Sequence, residues 1–141
     1  RSLSMVFKNL DGVLPPAGEA DDDRALLTQV RDGCAALALE FDRFAFSAGL
    51  EAWMAAVFAC NAYVDAQAPW ALKKADPERM AAVLGTLVAA VRLLAEAAAP
   101  VIPESAAKLI ALIDSGADGT PIEQPTPLFP RLELGKDEEP A

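Results

Sequence analysis

The sequence predicts an all-α fold, an antiparallel bundle of four to five helices followed by an extended C-terminal tail. Apolar residues recur at intervals of three and four through long segments, prolines and glycines mark the ends of those segments, and no segment alternates with the period of two that is typical of a strand. With 141 residues, the chain is long enough for one core and short for two. We therefore expect a helix bundle over residues 1–116 and a proline-rich tail over residues 117–141.

The first two helices are separated by a segment that cannot be helical. Residues 1–10 are expected to be the end of a helix, and residues 11–20 form a connection because they contain two glycines and two prolines. Asp21 and the two aspartates after it supply N-cap and first-turn carboxylates for an amphipathic helix of about five turns. The predicted inward face of this helix consists of Leu27, Val30, Cys34 and Leu37.

Two further long helices follow. The first is expected from Asp42 to Pro69, which must end or kink it. Its apolar positions recur every four or three residues and predict a core-facing stripe of Phe46, Leu50, Trp53, Val57, Cys60 and Val64. The next helix is expected to be capped by Asp76, to have Pro77 in its first position and to stop at Pro100. Its predicted inward residues are Met80, Leu84, Leu87, Val91 and Leu94.

A last helix and the tail complete the predicted fold. Pro103 begins this helix and Gly116 closes it. The tail contains four prolines between positions 121 and 130, so it cannot be helical. It is nevertheless too apolar for a purely solvated linker, since it contains Ile122, Leu128, Phe129, Leu132 and Leu134. We expect it to lie extended along the bundle and to pack there, with about the last half-dozen residues disordered.

The composition argues against a reactive centre in this chain. Histidine, the commonest general base and a common zinc ligand, is absent. Cys34 and Cys60 do not form a CxxC motif, and their apolar helical surroundings indicate small core residues. The sequence therefore predicts no catalytic site, no bound cofactor and no metal site within these residues.

The most apolar segment is expected to be a buried helix. Met80–Ala95 is interrupted by Gly85, Thr86 and Arg92 and falls short of the roughly 18 uncharged apolar residues of a membrane span. We therefore expect no membrane association. The chain opens with Arg-Ser-Leu-Ser and shows no basic, apolar leader, which suggests an excised or processed fragment and a cytoplasmic location.

The net charge of −9 argues, at first sight, against a nucleic-acid partner. Ten of the 21 acidic residues, however, lie in residues 19–23 or beyond Gly116, in predicted loop or tail. The rest of the bundle carries acids and bases in nearly equal number. A small, oriented contact with RNA is compatible with that balance.

Two strings of residues carry more specific information. One runs from Asn61 to Trp70 as Asn-Ala-Tyr-Val-Asp-Ala-Gln-Ala-Pro-Trp and continues as Ala-Leu-Lys-Lys. The other is the opening Arg-Ser-Leu-Ser-Met-Val-Phe-Lys-Asn-Leu-Asp-Gly-Val-Leu. In order and separation they resemble the end of the central helix and the end of the first helix of the anticodon-binding domain of bacterial methionyl-tRNA synthetases. The resemblance covers residues 1–116, and residues 127–134 are similar to the tail of the short bacterial form.

This resemblance implies a function for the bundle. Domains of this family recognise the CAU anticodon of methionine and initiator tRNAs and so support the attachment of methionine by a class I ligase. The family's HIGH and KMSKS motifs are not in this sequence. The resemblance therefore implies a non-catalytic part, with a Rossmann-type catalytic domain elsewhere on the same chain that uses ATP and Mg²⁺.

Trp70 is the leading candidate for the contact with tRNA. Pro69 ends the preceding helix and lacks an amide donor, so the indole is expected at a helix terminus on a stiff turn. An unpaired base stacked on such a ring is worth about 1 to 3 kcal/mol, and in the family the tryptophan at this place stacks on the first anticodon base, a cytosine. The alternative is that Trp70 fills a gap between two helices, whereas Trp53 belongs to the core stripe.

The resemblance assigns anticodon roles to two more residues. Arg1 matches an arginine that contacts the anticodon bases, and Asp65 matches a carboxylate that rejects other anticodons electrostatically. Asn61 lies beside the core stripe and is expected to satisfy backbone groups at a helix end. Three basic residues that follow the tryptophan are candidates for phosphate contacts, namely Lys73, Lys74 and Arg79. A solvated charge is the alternative interpretation for each of these ionic residues.

Two other functions remain open at this stage. The bundle could be a protein interaction or scaffold module without an RNA partner, its acidic surface favouring a basic protein. It could also be the anticodon-binding bundle of a related class I synthetase, such as the cysteinyl enzyme. The Pro69-Trp70 pair favours the methionyl family over the latter.

Overall fold

The computed structural model describes residues 2–129. Within that range the chain forms six α-helices and no β-strand, which confirms the predicted all-α bundle. The helices are α1 (Ser2–Asn9), α2 (Asp21–Asp42), α3 (Phe46–Gln67), α4 (Pro69–Ala75), α5 (Pro77–Ala98) and α6 (Pro103–Asp114). The sequence predicted four to five helices, and the additional one is the short α4. It begins at Pro69, where the sequence pattern indicated only an end or a kink.

The central helix of the bundle is α5, which contacts each of the other described helices. Val83, Leu84 and Ala90 have no exposed surface. Although α5 is long and apolar enough to span a membrane, 56% of its most apolar window is buried inside the bundle, as in the core helix of a helical domain. Gly85 lets the loop after α1 cross this helix, since a Cβ there would lie 2.0 Å from the carbonyl oxygen of Pro16.

Helices α2 and α3 share the most extensive contact between any two described helices, and their packing corrects the predicted core stripe. Small residues form the contact, because a Cβ on Gly33 would lie 2.9 Å from that of Ala56. The buried residues of α3 are Gly49, Ala56, Cys60 and Tyr63. Phe46 and Leu50 were predicted to face the core and are 51% and 38% exposed, since small side chains let the two backbones approach and the bulky ones turn outward.

Other members of the stripe lie inward as predicted. Cys60 is buried, and Val57 and Val64 pack partly buried against the core. Trp53 also packs against the core while half-buried, and its indole N–H donates a hydrogen bond of 3.1 Å to the carbonyl of Leu94. This bond satisfies the one polar atom of the ring and ties α3 to α5.

The start of α2 also differs from the sequence interpretation. Ala20, not an aspartate, is the N-cap. The side chain of Asp23, in the first turn, accepts a hydrogen bond of 3.2 Å from the Ala20 amide. Asp23 was counted among solvated loop acids, yet it has no exposed surface. Its burial requires a partner, and α5 supplies one.

The loop after α1 and the start of the tail hold each other in place. Gly12 adopts a φ of 78°, and its carbonyl accepts a hydrogen bond of 2.9 Å from the Ile122 amide. Ile122 is 3% exposed and belongs to the core, whereas Phe129 is 70% exposed. The expectations for Leu132, Leu134 and the last half-dozen residues lie outside the described range.

Candidate nucleic-acid interface

The α3–α4 junction presents Trp70 at the surface. Gln67 ends α3, Ala68 adopts a left-handed φ of 46°, and Pro69 occupies the first position of α4. A left-handed residue reverses the chain direction sharply, and the proline ring then fixes the first turn of the new helix. Pro69 is fully buried, while Trp70 is 51% exposed. The side chain after the proline is thus displayed on a rigid helix start and does not fill the gap between helices.

A buried polar cluster fixes the end of α3. The Arg79 guanidinium donates to both carboxylate oxygens of Asp23, at 2.7 Å and 2.9 Å, and to Gln67 Oε1 at 3.0 Å. The Tyr63 hydroxyl donates a short hydrogen bond to the same carboxylate. Gln67 is the last residue of α3, so this cluster ties the residue before the Ala68 turn to the first turns of α2 and α5. We call Asp23, Tyr63, Gln67 and Arg79 the anchor cluster.

The charges within the anchor cluster compensate one another. Burial on its own raises the pKa of Asp23, but hydrogen bonds from Arg79 and Tyr63 and the nearby positive charge outweigh it and hold this pKa below its ordinary value. Burial, followed by the hydrogen bond to the carboxylate, raises the pKa of Tyr63. The cluster therefore contains an ionised Asp23 and a neutral Tyr63 at physiological pH, with the charge compensated by Arg79.

Two depressions border Met5 of α1, and Trp70 lines one of them. One, of about 400 Å³, lies between α1 and α4 and is lined by Ser4, Met5, Lys8, Asn9, Trp70 and Lys73. The other, of about 370 Å³, lies between α1 and α3 and is lined by Ser2, Met5, Asn61, Val64 and Asp65. Met5 borders both, so together they form one continuous surface, which we call the α1 groove. An exposed ring, two lysines, two amides and a carboxylate share this surface.

The α1 groove is chemically suited to unpaired RNA. An indole that is 51% exposed can stack with an unpaired base, and the side chains of Lys8 and Lys73, which line the same depression, can meet phosphate. Asp65 places a negative charge at the other end of the groove, where a phosphate held too close would be repelled. This arrangement favours a nucleotide whose base lies at Trp70 and whose backbone passes the lysines.

The structure separates the residues predicted from sequence into three groups. Trp70, Asp65 and Lys73 line the α1 groove. Lys74 is exposed on α4, outside the lining of the groove. Arg1 lies outside the described residues, so its predicted base contact is untested.

Two sequence interpretations need correction. Arg79 is not available for phosphate, because its guanidinium forms the ion pair with Asp23 and its side chain is 24% exposed. Asn61 is exposed in the middle of α3, where it lines the α1 groove, and does not serve backbone groups at a helix end. Sequence reasoning also missed Lys8, which stands in the middle of the second quoted string and in the last turn of α1. A basic residue in the last turn of a helix was the available signal.

No group of three or more acidic or cysteine side chains within residues 2–129 is placed to hold a metal ion. The two cysteines are free thiols, and burial raises the pKa of Cys60 to about 11. Burial also raises the pKa of Cys34.

Comparison with known proteins agrees with this geometry. Residues 14–137 match the family model described as the anticodon binding domain of methionyl tRNA ligase. The methionine–tRNA ligase of Rhizobium meliloti is 38% identical over 147 aligned residues, which cover 93% of this chain and 28% of that protein. The ligase of Mycobacterium leprae is 37% identical over 151 aligned residues, covering 94% of this chain and 28% of that protein.

Solved structures give the same result. The apo form of Mycobacterium tuberculosis methionyl-tRNA synthetase superposes with a TM-score of 0.83 at 36% identity, covering 95% of this chain and 31% of that one. The same enzyme in complex with methionyl-adenylate superposes with a TM-score of 0.82 at 37% identity, covering 93% and 29%. This chain spans less than a third of these relatives and matches their C-terminal region. Since the family model matches most of its length, the chain belongs to the family of anticodon-binding domains of methionyl-tRNA ligases.

Proposed function

We propose that this chain is the part of a methionine–tRNA ligase that recognises the CAU anticodon of methionine and initiator tRNAs. The observation that carries the proposal is the indole of Trp70, 51% exposed at the start of α4 beside two lysines of the α1 groove. Anticodon bases can leave the stack of their loop and lie flat on such a ring. The family of the chain, the anticodon binding domain of methionyl tRNA ligase, supports a methionine tRNA as the bound RNA.

The recognition has two physical components. Stacking of the first anticodon base on Trp70 supplies affinity of about 1 to 3 kcal/mol with little sequence preference, because every base has a π-face. Discrimination comes from the polar groups around the ring. Asp65 and Asn61 line the groove next to α1, and the resemblance assigns a further base contact to Arg1. A base that does not form hydrogen bonds with these groups leaves them desolvated and without a hydrogen-bond partner, which lowers its affinity.

Aminoacylation itself belongs to the remainder of the ligase. We expect the full-length enzyme to use ATP and Mg²⁺, and the complex of the Mycobacterium tuberculosis relative with methionyl-adenylate supports the ATP part of this expectation. The residues of this chain do not fit these ligands, because the sequence lacks the nucleotide-binding motifs and residues 2–129 hold no suitable cluster of acids. Its contribution is to bind and orient tRNA for a catalytic domain on the same chain, in the cytoplasm.

The proposal is tested by anticodon exchange. The ligase that contains this chain is titrated with methionine tRNA and with the same tRNA carrying another anticodon, at low and at physiological salt. We expect the CAU transcript to bind at least about tenfold more tightly, which corresponds to roughly 1.4 kcal/mol. Equal affinities at both salt concentrations would support a nonspecific or scaffold role instead.

A further inference from the structure

A row of large apolar side chains on α3 faces solvent. Its members follow one another at intervals of four residues and so form a continuous ridge along the helix. They are Phe46, Leu50, Met54 and Phe58, which are 51%, 38%, 38% and 62% exposed. We call these four residues together with Phe44, which is 81% exposed, the α3 stripe. Aromatic and aliphatic side chains grouped in this way mark a surface that another polypeptide covers.

The turn before α3 holds Phe44 in a backbone conformation that is unfavourable for a bulky residue. Phe44 has a φ of 61°, in a position after α2 where glycine is the usual residue. The turn is closed by hydrogen bonds from the Phe44 amide to Phe41 and from the Ala45 amide to Glu40, at 3.0 Å and 2.8 Å. A strained bulky residue with its ring in solvent is typical of a site that has a partner.

The charge around the α3 stripe disfavours RNA as that partner. Residues 44–58, which contain the stripe, include Glu51 and neither lysine nor arginine. The nearest arginine along the chain, Arg43, lies 4.0 Å from the carboxylate of Glu40. Binding of a polyanion depends on basic side chains that replace its counterions. An apolar polypeptide surface meets no such obstacle.

The direction of α1 points to a specific occupant. Ser2, at the start of α1, shares a depression with Asn61 and Asp65 of α3, whereas Lys8, near its end, shares one with Trp70. The two helices therefore run in the same direction, and residues that precede Ser2 arrive alongside the part of α3 that comes before Asn61.

The α3 stripe occupies that part of α3. Met54 stands seven residues before Asn61, and Phe58 seven residues before Asp65, so each pair shares one face of the helix. In the relatives, which extend far beyond the match, the additional residues lie mainly on the N-terminal side. Polypeptide that enters α1 therefore approaches from the end of α3 on which the stripe lies.

We propose that the α3 stripe is the docking surface for the portion of the ligase chain that precedes α1. The inference rests on the proposed function, because it takes the chain to be part of a longer ligase. The contact buries the exposed rings of Phe44, Phe46 and Phe58 against an apolar face of that portion. It fixes the orientation of α3, and hence of Trp70 at its far end, relative to the catalytic domain.

Site-specific photo-cross-linking of the full-length ligase tests this contact. Phe58 is replaced by p-benzoylphenylalanine, a bulky aromatic that suits an exposed aromatic position, and the cross-linked peptides are identified by mass spectrometry. The same substitution at Thr28, an exposed residue on α2, is the matched control, and Met54 is a second test position. We expect cross-links within one chain to peptides that precede Arg1, several-fold more abundant from positions 58 and 54 than from position 28.

Each other outcome overturns the docking proposal. Cross-links between two copies of the ligase would identify the stripe as an oligomer contact, and cross-links to added tRNA would identify it as an RNA surface. Equal, low yields at positions 58, 54 and 28 would show that the stripe remains uncovered. The anticodon-exchange titration is performed on the same preparations, so loss of docking with retained CAU preference contradicts this inference alone.

Discussion

The Asp23 carboxylate and the Arg79 guanidinium form a bidentate ion pair, with distances of 2.7 Å and 2.9 Å, between the first turns of α2 and α5. The carboxylate has no exposed surface, and Tyr63 and the Ala20 amide complete its coordination. Through Gln67 the same guanidinium holds the end of α3. The buried ion pair therefore fixes the α3–α4 junction, which carries the exposed tryptophan.

Asp23→Asn is expected to destabilise the domain. The substitution keeps the shape of the side chain but leaves the partly buried Arg79 without its counter-charge. We expect the free energy of unfolding to fall by about 2 to 4 kcal/mol. This loss is smaller than that for a fully buried pair because Arg79 retains contact with water. Urea unfolding followed by circular dichroism measures the change. Asp22→Asn, at an exposed neighbour with a single hydrogen bond of 3.3 Å to Gln67, is the matched control and should change stability by less than about 1 kcal/mol.

The same carboxylate predicts a specific acid sensitivity. The pKa of Asp23 is lowered in the folded state, so its ionised form stabilises the fold at any pH above the unfolded value of about 3.9. This contribution is lost as the pH falls through the folded-state pKa. The free energy of unfolding should therefore fall less steeply below pH 4 in Asp23→Asn than in the unmodified chain. Parallel pH dependences for the two proteins would show that Asp23 does not contribute.

Gly85→Ala is expected to destabilise the bundle although alanine favours helices. A Cβ at this position would lie 2.0 Å from the carbonyl oxygen of Pro16, so the loop after α1 must move. We expect a loss of about 1 to 3 kcal/mol, the usual cost of overpacking, in thermal or urea unfolding. If Gly85→Ala instead raised stability by about 1 kcal/mol, as helix propensity alone predicts, the loop would not pack on α5 as described.

The lysines of the α1 groove are expected to act through phosphate. Lys8→Gln and Lys73→Gln should each weaken tRNA binding and reduce the slope of log K against log salt by about 0.7 to 0.9. The effect should be the same for CAU and exchanged anticodons, because phosphate contacts carry no sequence information. Arg31→Gln, at an exposed position on α2, is the control and should leave the slope unchanged.

Much of this architecture could be predicted from sequence, and the failures have physical causes. Proline, glycine and aspartate at helix ends located the helices, and the Pro69-Trp70 pair located the displayed ring. The inward face of α3 was partly wrong, because the close approach of α2 selects small residues and hydrophobic periodicity weights large ones. The role of Arg79 was missed because its partner Asp23 is 56 residues away along the chain, and a pairing at that distance leaves no local pattern.

The most direct test of the central claim uses Trp70→Ala in the full-length ligase. In the proposed function the indole contacts the anticodon and takes no part in methionine activation, so kcat/KM for aminoacylation should fall roughly 5- to 150-fold, the equivalent of about 1 to 3 kcal/mol of stacking. Methionine-dependent pyrophosphate exchange should remain nearly unchanged. Phe129→Ala, which removes another exposed aromatic ring, should affect neither activity. A parallel fall of aminoacylation and exchange in Trp70→Ala, or no fall in either, would contradict the assignment.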